Sequence, residues 1–260
     1  MSRIASQFDC EGALLAGTLD EAPGTTGLLI VTGGNEIRSG AFGGQADMAA
    51  RIAASGFPVF RFDRRGIGDS EGENRGFRHS ASDIAAALAA FRAMAPHLTR
   101  VIALGNCDAA SALMLAGGAG ADGLVLSNPW TIEDSEPGDS TPPPDALRAR
   151  YLEKLKNPRE IMRLATGGVN LAKLARGLVH ALKPPPPPSS LAQDMAAGLA
   201  GFTGEVRILL ATADRTAQVF EAAWDRNDPR IRRCEGGTHA YVDPAHRAWL
   251  EAQLLEALRS

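Results

Sequence analysis

The sequence predicts an α/β fold, a mostly parallel central sheet covered by helices on both faces. Two observations carry that reading: short apolar runs alternate with helical periodicity over most of the 260 residues, and 45% of the chain is hydrophobic, enough for one large core. Residues 3–10 and 13–19 read as two short strands joined at Glu11-Gly12 in a hairpin. The continuous run Leu28-Leu29-Ile30-Val31 predicts a buried strand over 27–32, stopped by Gly33-Gly34. Residues 45–55 read as a helix that Gly56 ends. A strand at 59–62, a helix at 82–94 and a strand at 101–104 follow, then an alanine-rich helical pattern and a strand at 124–126. Late in the chain, strands at 206–211 and 231–234 are separated and followed by helical patterns at 217–224 and 245–258. No second independent domain is required.

Between Pro129 and Gly201 the alternation stops. This stretch holds Pro137, Pro142-Pro143-Pro144 and the run Pro184 to Pro188, with helical patterns at 146–156, 159–165 and 171–182. Five consecutive prolines favour a stiff extended spacer over a strand or helix. The expected division is a core of residues 1–128 and 202–260 with 129–201 inserted as a helical, proline-rich lid; a linker or surface excursion is the competing reading. Residues 145–183 carry nine basic and three acidic side chains. That excess either steers an anionic substrate toward the site or sits on solvated helix faces.

A formal net charge of −3 argues against a global nucleic-acid footprint. No apolar stretch reaches the length of a membrane span, and the first residues lack a signal-peptide apolar region, so the expected location is cytoplasmic. Cys10, Cys107 and Cys234 lack the paired spacing of a zinc site or a redox motif, and a disulfide framework is not expected. No metal or organic cofactor is suggested. Cys10 and Cys234 read as small semi-buried residues.

Cys107 differs because of its neighbours. In Leu104-Gly105-Asn106-Cys107-Asp108-Ala109-Ala110-Ser111 an apolar run meets a tight turn and then a helical pattern, which is the arrangement of a nucleophile elbow. The apex residue sits on a strained turn, so positions two before and two after must be small; Gly105 and Ala109 are. The form here is G-x-C-x-A, a thiol where a hydroxyl is more familiar. The amides at the start of the following helix favour thiolate, while the Asp108 carboxylate opposes it by like-charge repulsion.

A thiol nucleophile needs a base, a group that orients the base and donors for the oxyanion. His239, in Gly236-Gly237-Thr238-His239 just after the last strand, is the candidate base, ahead of His246, His180, His79 and His97. Asp214, at the end of the penultimate strand, is the candidate orienting acid, with a helix N-cap as its alternative role and Glu133 or Asp134 as fallback acids. The oxyanion donors are expected to be the amide of Asp108 and one from Gly33-Gly34-Asn35, with Gly34 favoured and Asn35 as the alternative. The turn Asp63-Arg64-Arg65-Gly66-Ile67-Gly68-Asp69-Ser70 is read as structural, holding loops near the site. A catalytic role for Asp63 or Asp69 would leave the elbow unexplained.

Together the elbow, the strand-end Asp214, the loop His239 and this turn resemble the α/β-hydrolase superfamily across essentially the whole chain. More narrowly, residues Gly105 to Ser111, the segment Leu126-Ser127-Asn128-Pro129-Trp130 and the segment Gly168-Val169-Asn170-Leu171 resemble the type 1 hydrolases associated with the exosortase A system of bacteria that make PEP-CTERM proteins and exopolysaccharide. Asn106 stands where a larger apolar residue is expected. The resemblance implies a hydrolase-like fold with a Cys-His-Asp triad and a genomic context, without an established substrate. The chemistry expected is hydrolysis of an ester or thioester, on a small-molecule or carrier-linked acyl substrate. An acyltransferase acting on an envelope polysaccharide or lipid precursor uses the same acyl-enzyme, and a degenerate hydrolase that only binds is the alternative from another class. A dehalogenase-like reading with Asp108 as nucleophile shifts the elbow by one and puts Asn106 where a small residue is needed.

Overall fold

The computed structural model describes residues 2–132 and 190–260. Strands β1 (Arg3–Cys10) and β2 (Ala13–Asp20) form the hairpin, with Glu11 and Gly12 both at positive φ (53° and 81°), as a two-residue turn between twisted strands requires. Then follow β3 (Thr26–Val31), α1 (Gly44–Ala54), β4 (Val59–Phe62), α2 (Ala81–Met94), β5 (Arg100–Asn106), α3 (Asp108–Leu115) and β6 (Gly123–Ser127). After the undescribed stretch come α4 (Ser190–Leu199), β7 (Glu205–Ala211), α5 (Arg215–Ala223), β8 (Ile231–Cys234) and α6 (Pro244–Arg259). All expected strands and helices outside the insertion are present, most of them one or two residues longer because the turn residues at their ends also pair.

The eight strands lie in the order β1-β2-β4-β3-β5-β6-β7-β8. β2 runs antiparallel to both its neighbours, and every pairing from β4 to β8 is parallel. Side-chain alternation along the strands divides the core into two layers. Leu28, Ile30, Ile102, Leu104 and Val125 pack with α1 and α6 residues such as Ile52 and Leu254. Leu29, Val31, Val101, Ala103 and Leu126 pack on the other face with Ile84, Phe91, Leu113 and Phe220 from α2, α3 and α5.

The expected insertion ran to Gly201, and its last stretch forms α4, which joins this second layer through buried Leu191, Ala192, Met195 and Leu199. A Cβ on Gly198 would lie 2.2 Å from the Met114 carbonyl oxygen, so α4 approaches α3 backbone to backbone. The helical patterns at 146–156, 159–165 and 171–182, the proline run, the basic excess, the 168–171 motif, His180, Glu133 and Asp134 lie outside the described residues.

This strand order also fixes where a site belongs. From β3 the chain crosses outward to β4, and from β5 it crosses the opposite way to β6, so the order reverses between β3 and β5. Ligands of open α/β sheets bind outside the strand C-termini at such a reversal. Gly33-Gly34 follows one of these strands and Cys107 the other.

Candidate active site

Cys107 stands between β5 and α3 at φ 62°, ψ −130°, a backbone region that costs an L-residue about 1–3 kcal/mol. Neighbouring backbone holds it there. Its amide donates to the Ser127 carbonyl (3.0 Å), and its carbonyl accepts from Ala110 (3.1 Å) and Trp130 (3.3 Å). Small neighbours are obligatory: a Cβ on Gly105 would lie 2.6 Å from both the Ala109 carbonyl carbon and the Ala110 nitrogen. A Gly105→Val chain is therefore expected to lose about 1–3 kcal/mol through overpacking against backbone. Thermal unfolding checks this, alongside the rate at which Cys107 reacts with a thiol reagent; an unchanged melt would refute the steric account.

β7 and β8 bring the other two candidates to this edge. Asp214 follows β7, and the loop after β8 turns at Gly236 (φ 70°) and is tied to it by bonds from Ala213 N–H to the Gly237 carbonyl (2.9 Å) and from Gly236 N–H to Thr212 Oγ1 (2.8 Å). His239 Nδ1 then lies 2.9 Å from Asp214 Oδ2. That same oxygen accepts from the Ala217 amide at 3.2 Å, so Asp214 caps α5 as well as holding the imidazole. Cys107 acts on the same ring, as the second cause of the shift in its pKa. The hydrogen bond to Asp214 and the interaction with Cys107 push the His239 pKa up to about 10, against the effect of burial. Other histidines sit elsewhere: His97 contacts the Ala22 carbonyl near the strand N-termini, His79 ends a short turn before α2, and His246 packs beside Gly236.

The glycine loop comes as close as expected. A Cβ on Gly33 would meet the Asn106 carbonyl oxygen at 2.7 Å and Asp108 Oδ1 at 2.9 Å. The Gly34 N–H, the favoured oxyanion donor, is already engaged: it donates to Asp108 Oδ1 at 2.6 Å. Arg64 lies 3.4 Å from the other oxygen of that carboxylate and also donates to the Gly34 carbonyl. The amide of Asp108 is at the first position of α3, where a helix provides it no carbonyl. Asn35, one residue on, is fixed through its side-chain oxygen by Asn74 (3.1 Å).

Asp63, fully buried, pairs with Arg38 and accepts from the Asp69 amide (3.0 Å); Arg38 bonds Asp69 as well (2.9 Å). This is the loop-holding role expected of the turn. Cys10 and Cys234 are buried, and all three cysteines are free. Among the described residues, no group of three or more histidine, cysteine or acidic side chains is arranged to hold a metal ion, and no helix is long and apolar enough to cross a membrane.

Two features were not legible in advance. Asn128, fully buried and at φ 44°, accepts from the Ala211 amide (2.8 Å) and donates to Asn106 Oδ1 (3.1 Å) and the His239 carbonyl (3.4 Å). Asn106 also donates to that carbonyl (3.4 Å), so its amide replaces the expected apolar contact with a clamp on the histidine loop. The second feature is Glu36. Burial and the nearby Asp108 push its carboxyl above the usual range, with His239 pulling the other way.

Residues 27–177 match the model of the serine aminopeptidase S33 family. The chain belongs to this hydrolase family. The family assignment agrees with its α/β-hydrolase fold, which recurs in solved structures at low identity. The Pyrococcus furiosus esterase Pf2001 is 12% identical, with 99% of this chain and 90% of that one covered at a TM-score of 0.62. The α/β hydrolase GrgF from Penicillium sp. sh18 is 16% identical over 100% and 98% of the two chains, TM-score 0.64. The thioesterase domain from the curacin biosynthetic pathway is 12% identical over 98% and 100%, TM-score 0.58. No curated protein sequence matches the chain. This S33 family member thus presents a cysteine at the apex of its elbow.

Proposed function

We propose that this hydrolase cleaves an ester or thioester through an acyl-cysteine intermediate, with Cys107 as nucleophile, His239 as proton carrier and Asp214 as the group that orients it. The observation that carries the reading is an imidazole bonded through Nδ1 to Asp214 at 2.9 Å, at the same sheet edge as Cys107 on its strained elbow. The Cys107 sulfur attacks the carbonyl carbon, and His239 protonates the departing alcohol or thiol. His239 then draws a proton from water, which attacks the thioester and releases the acid. The amides of Gly34 and Asp108 hold the oxyanion once the Asp108 carboxylate has moved off Gly34, with Asn35 as the alternative donor. The substrate is a small-molecule or carrier-linked acyl compound, handled in the cytoplasm. The exosortase-associated resemblance points to envelope polysaccharide or lipid precursors as its source; of the expected lid 129–201, residues 190–199 belong to the core as α4, and the lid assignment is kept for the part before it.

Intact-mass measurement after exposure to activated esters and thioesters of varied acyl length tests the proposal. An acyl adduct confined to Cys107, which clears only when His239 is present, is the expected result. A folded protein that forms no adduct with any donor would favour the binding-only reading, for which the occupied Gly34 amide is the supporting observation.

pH dependence follows from the imidazole. With its pKa near 10, His239 carries its second proton at neutral pH, and that proton is the one delivered to the leaving group. Activity is expected to fall as pH rises through about 10. The contribution of the His239–Asp214 pair to stability runs the same way, complete below the unfolded histidine value of about 6.5 and lost as pH rises through the folded one. Asp214→Asn removes the main cause of the upward shift, so the alkaline limb of kcat/KM is expected to move to lower pH. A limb that stays put in this variant would remove Asp214 from the scheme.

A further inference from the structure

The two edges of the sheet are built differently. At one end β8 is only four residues long and carries exposed Arg232 and Arg233, so it is short and charged. At the other end β1 pairs with β2 over eight consecutive residues without a bulge, and it contains neither proline nor lysine. Short length, charge, proline and bulges are what keep an edge strand from pairing with another chain, and β1 lacks them all between Arg3 and Asp9.

The phase of the hairpin decides which groups this edge presents. Glu21 N–H donates to the Ser2 carbonyl (2.9 Å), while Leu14 and Ala16 turn their amides away from β1, to Glu71 Oε2 (3.0 Å) and Ser70 Oγ (2.9 Å). Leu14 and Ala16 stand opposite Asp9 and Gln7. Main-chain bonds of an antiparallel pair alternate, so the even-numbered residues of β1 bond β2, and Arg3, Ala5, Gln7 and Asp9 point their N–H and C=O groups outward. Among the described residues, none of these outward groups has a partner.

We infer that β1 docks a second copy of this chain, which adds its own β1 antiparallel across a two-fold axis at Ser6. The strand is self-complementary about that residue: Arg3 falls opposite Asp9 of the second copy, Ile4 opposite Phe8 and Ala5 opposite Gln7. This register matches outward-pointing residues with outward-pointing residues, as hydrogen bonding requires, and sets opposite charges against each other at both ends. Asp9 is exposed and has no ion pair among the described residues. Arg3 uses Nε on Asp20 (2.6 Å) and Nη2 on the Ala46 carbonyl (3.1 Å), which leaves Nη1 for the incoming carboxylate. On the α2 face, Ile4, 38% exposed, and half-buried Phe8 cover one another across the axis. The Ser6 hydroxyl, buried over Gly17 without a partner, gains its own copy as one. β1 runs in the same direction as β4 and the strands beyond it, so the two candidate active sites open at opposite ends of the joined sheet and association leaves both clear.

Sedimentation velocity across the micromolar range tests the pairing, with a species of twice 27.3 kDa as the expected result. Gln7→Pro removes one outward N–H and no bond of the hairpin, since proline is tolerated on an edge strand where its nitrogen faces solvent. It costs two main-chain bonds per dimer and is expected to raise the dissociation constant by about 10-fold or more, with the circular dichroism spectrum unchanged. Ser6→Cys reads the register independently of that variant. Residues directly opposite at a non-hydrogen-bonded site lie about 4.5 Å apart at Cα, within disulfide reach, whereas Ala5→Cys stands diagonal to its own copy at about 7–8 Å, beyond it. Mild oxidation is expected to join the two position-6 thiols of Ser6→Cys, located by peptide mapping, and to leave Ala5→Cys uncrosslinked at position 5. A chain that stays monomeric throughout the range, leaving the edge to solvent or to a strand of another protein, overturns the inference. So does a dimer that Gln7→Pro does not weaken, or one in which Ala5→Cys crosslinks as readily as Ser6→Cys.

Discussion

The Cys107→Ala chain is expected to lose turnover of an activated ester by about 10⁴-fold or more while keeping its fold, since removal of a covalent nucleophile costs on that order or beyond. Cys107 is only partly buried, and its elbow is held by backbone bonds to Ser127, Ala110 and Trp130 that alanine leaves intact. Cys107→Ser is not expected to restore the rate. A serine hydroxyl needs a neutral base at pH 7, whereas the hydrogen bond to Asp214, the largest cause of the upward shift, still favours the charged form of His239. A thiol suits this pairing, because thiolate and imidazolium stabilise each other. A drop of about 10²-fold or more for the serine variant, the size of general-base assistance, is the expected outcome of steady-state assays at neutral pH. Full activity in the serine variant would mean that the imidazole is neutral in the working enzyme and that the ion-pair account is wrong.

Removing the carboxylate at position 108 is expected to do the opposite. Asp108 holds the Gly34 amide at 2.6 Å, where the proposed scheme puts the substrate oxygen, and its carboxylate follows the proposed nucleophile directly in the chain. A hydrogen bond to a charged group contributes about 1.5–3 kcal/mol, so an acyl oxygen competing for that amide is handicapped by roughly 10- to 100-fold. Asp108→Ala is therefore expected to raise kcat/KM for acylation within that range, with Asp108→Asn in between, because a neutral amide oxygen still accepts from Gly34 but more weakly. The folded state is expected to lose about 1.5–3 kcal/mol, since the Gly34 hydrogen bond and the ion pair with buried Arg64 go with the acid at the start of α3. Pre-steady-state acylation rates and thermal melts measure the two effects separately. A fall in the acylation rate would instead show that the carboxylate takes part in the chemistry.

The sequence disclosed more of the sheet than of the site. Strands such as Val59–Phe62 and Ile231–Cys234 are legible to the residue because an apolar run between turn formers has few other ways to bury itself. Helix α4 was hidden: it starts two residues after the prolines, and its Ala- and Gly-rich sequence shows a packed face only once α3 lies against it. Within the candidate site, Cys107, Asp214 and His239 could be picked out because strand ends and chain order constrain where such residues stand. The bond between Asp108 and Gly34 spans 74 residues and exists only because β3 and β5 are neighbours. Asn106 and Asn128 are opaque for the same reason, since their partners come from the ends of different strands and the histidine loop.

The attachment points of the long segment between residues 132 and 190 bear on how such a chain diversifies. On one side Trp130 is locked to Ser111 of α3 by reciprocal bonds of 2.8 and 2.7 Å; on the other, α4 is fastened to the same helix through Gly198. Both ends of the segment are thus moored to one rigid element of the core, and loop-closure entropy changes only by about 0.6 kcal/mol per doubling of length. A change of length between these moorings is therefore expected to cost the sheet little, because both attachment points belong to one helix of the core.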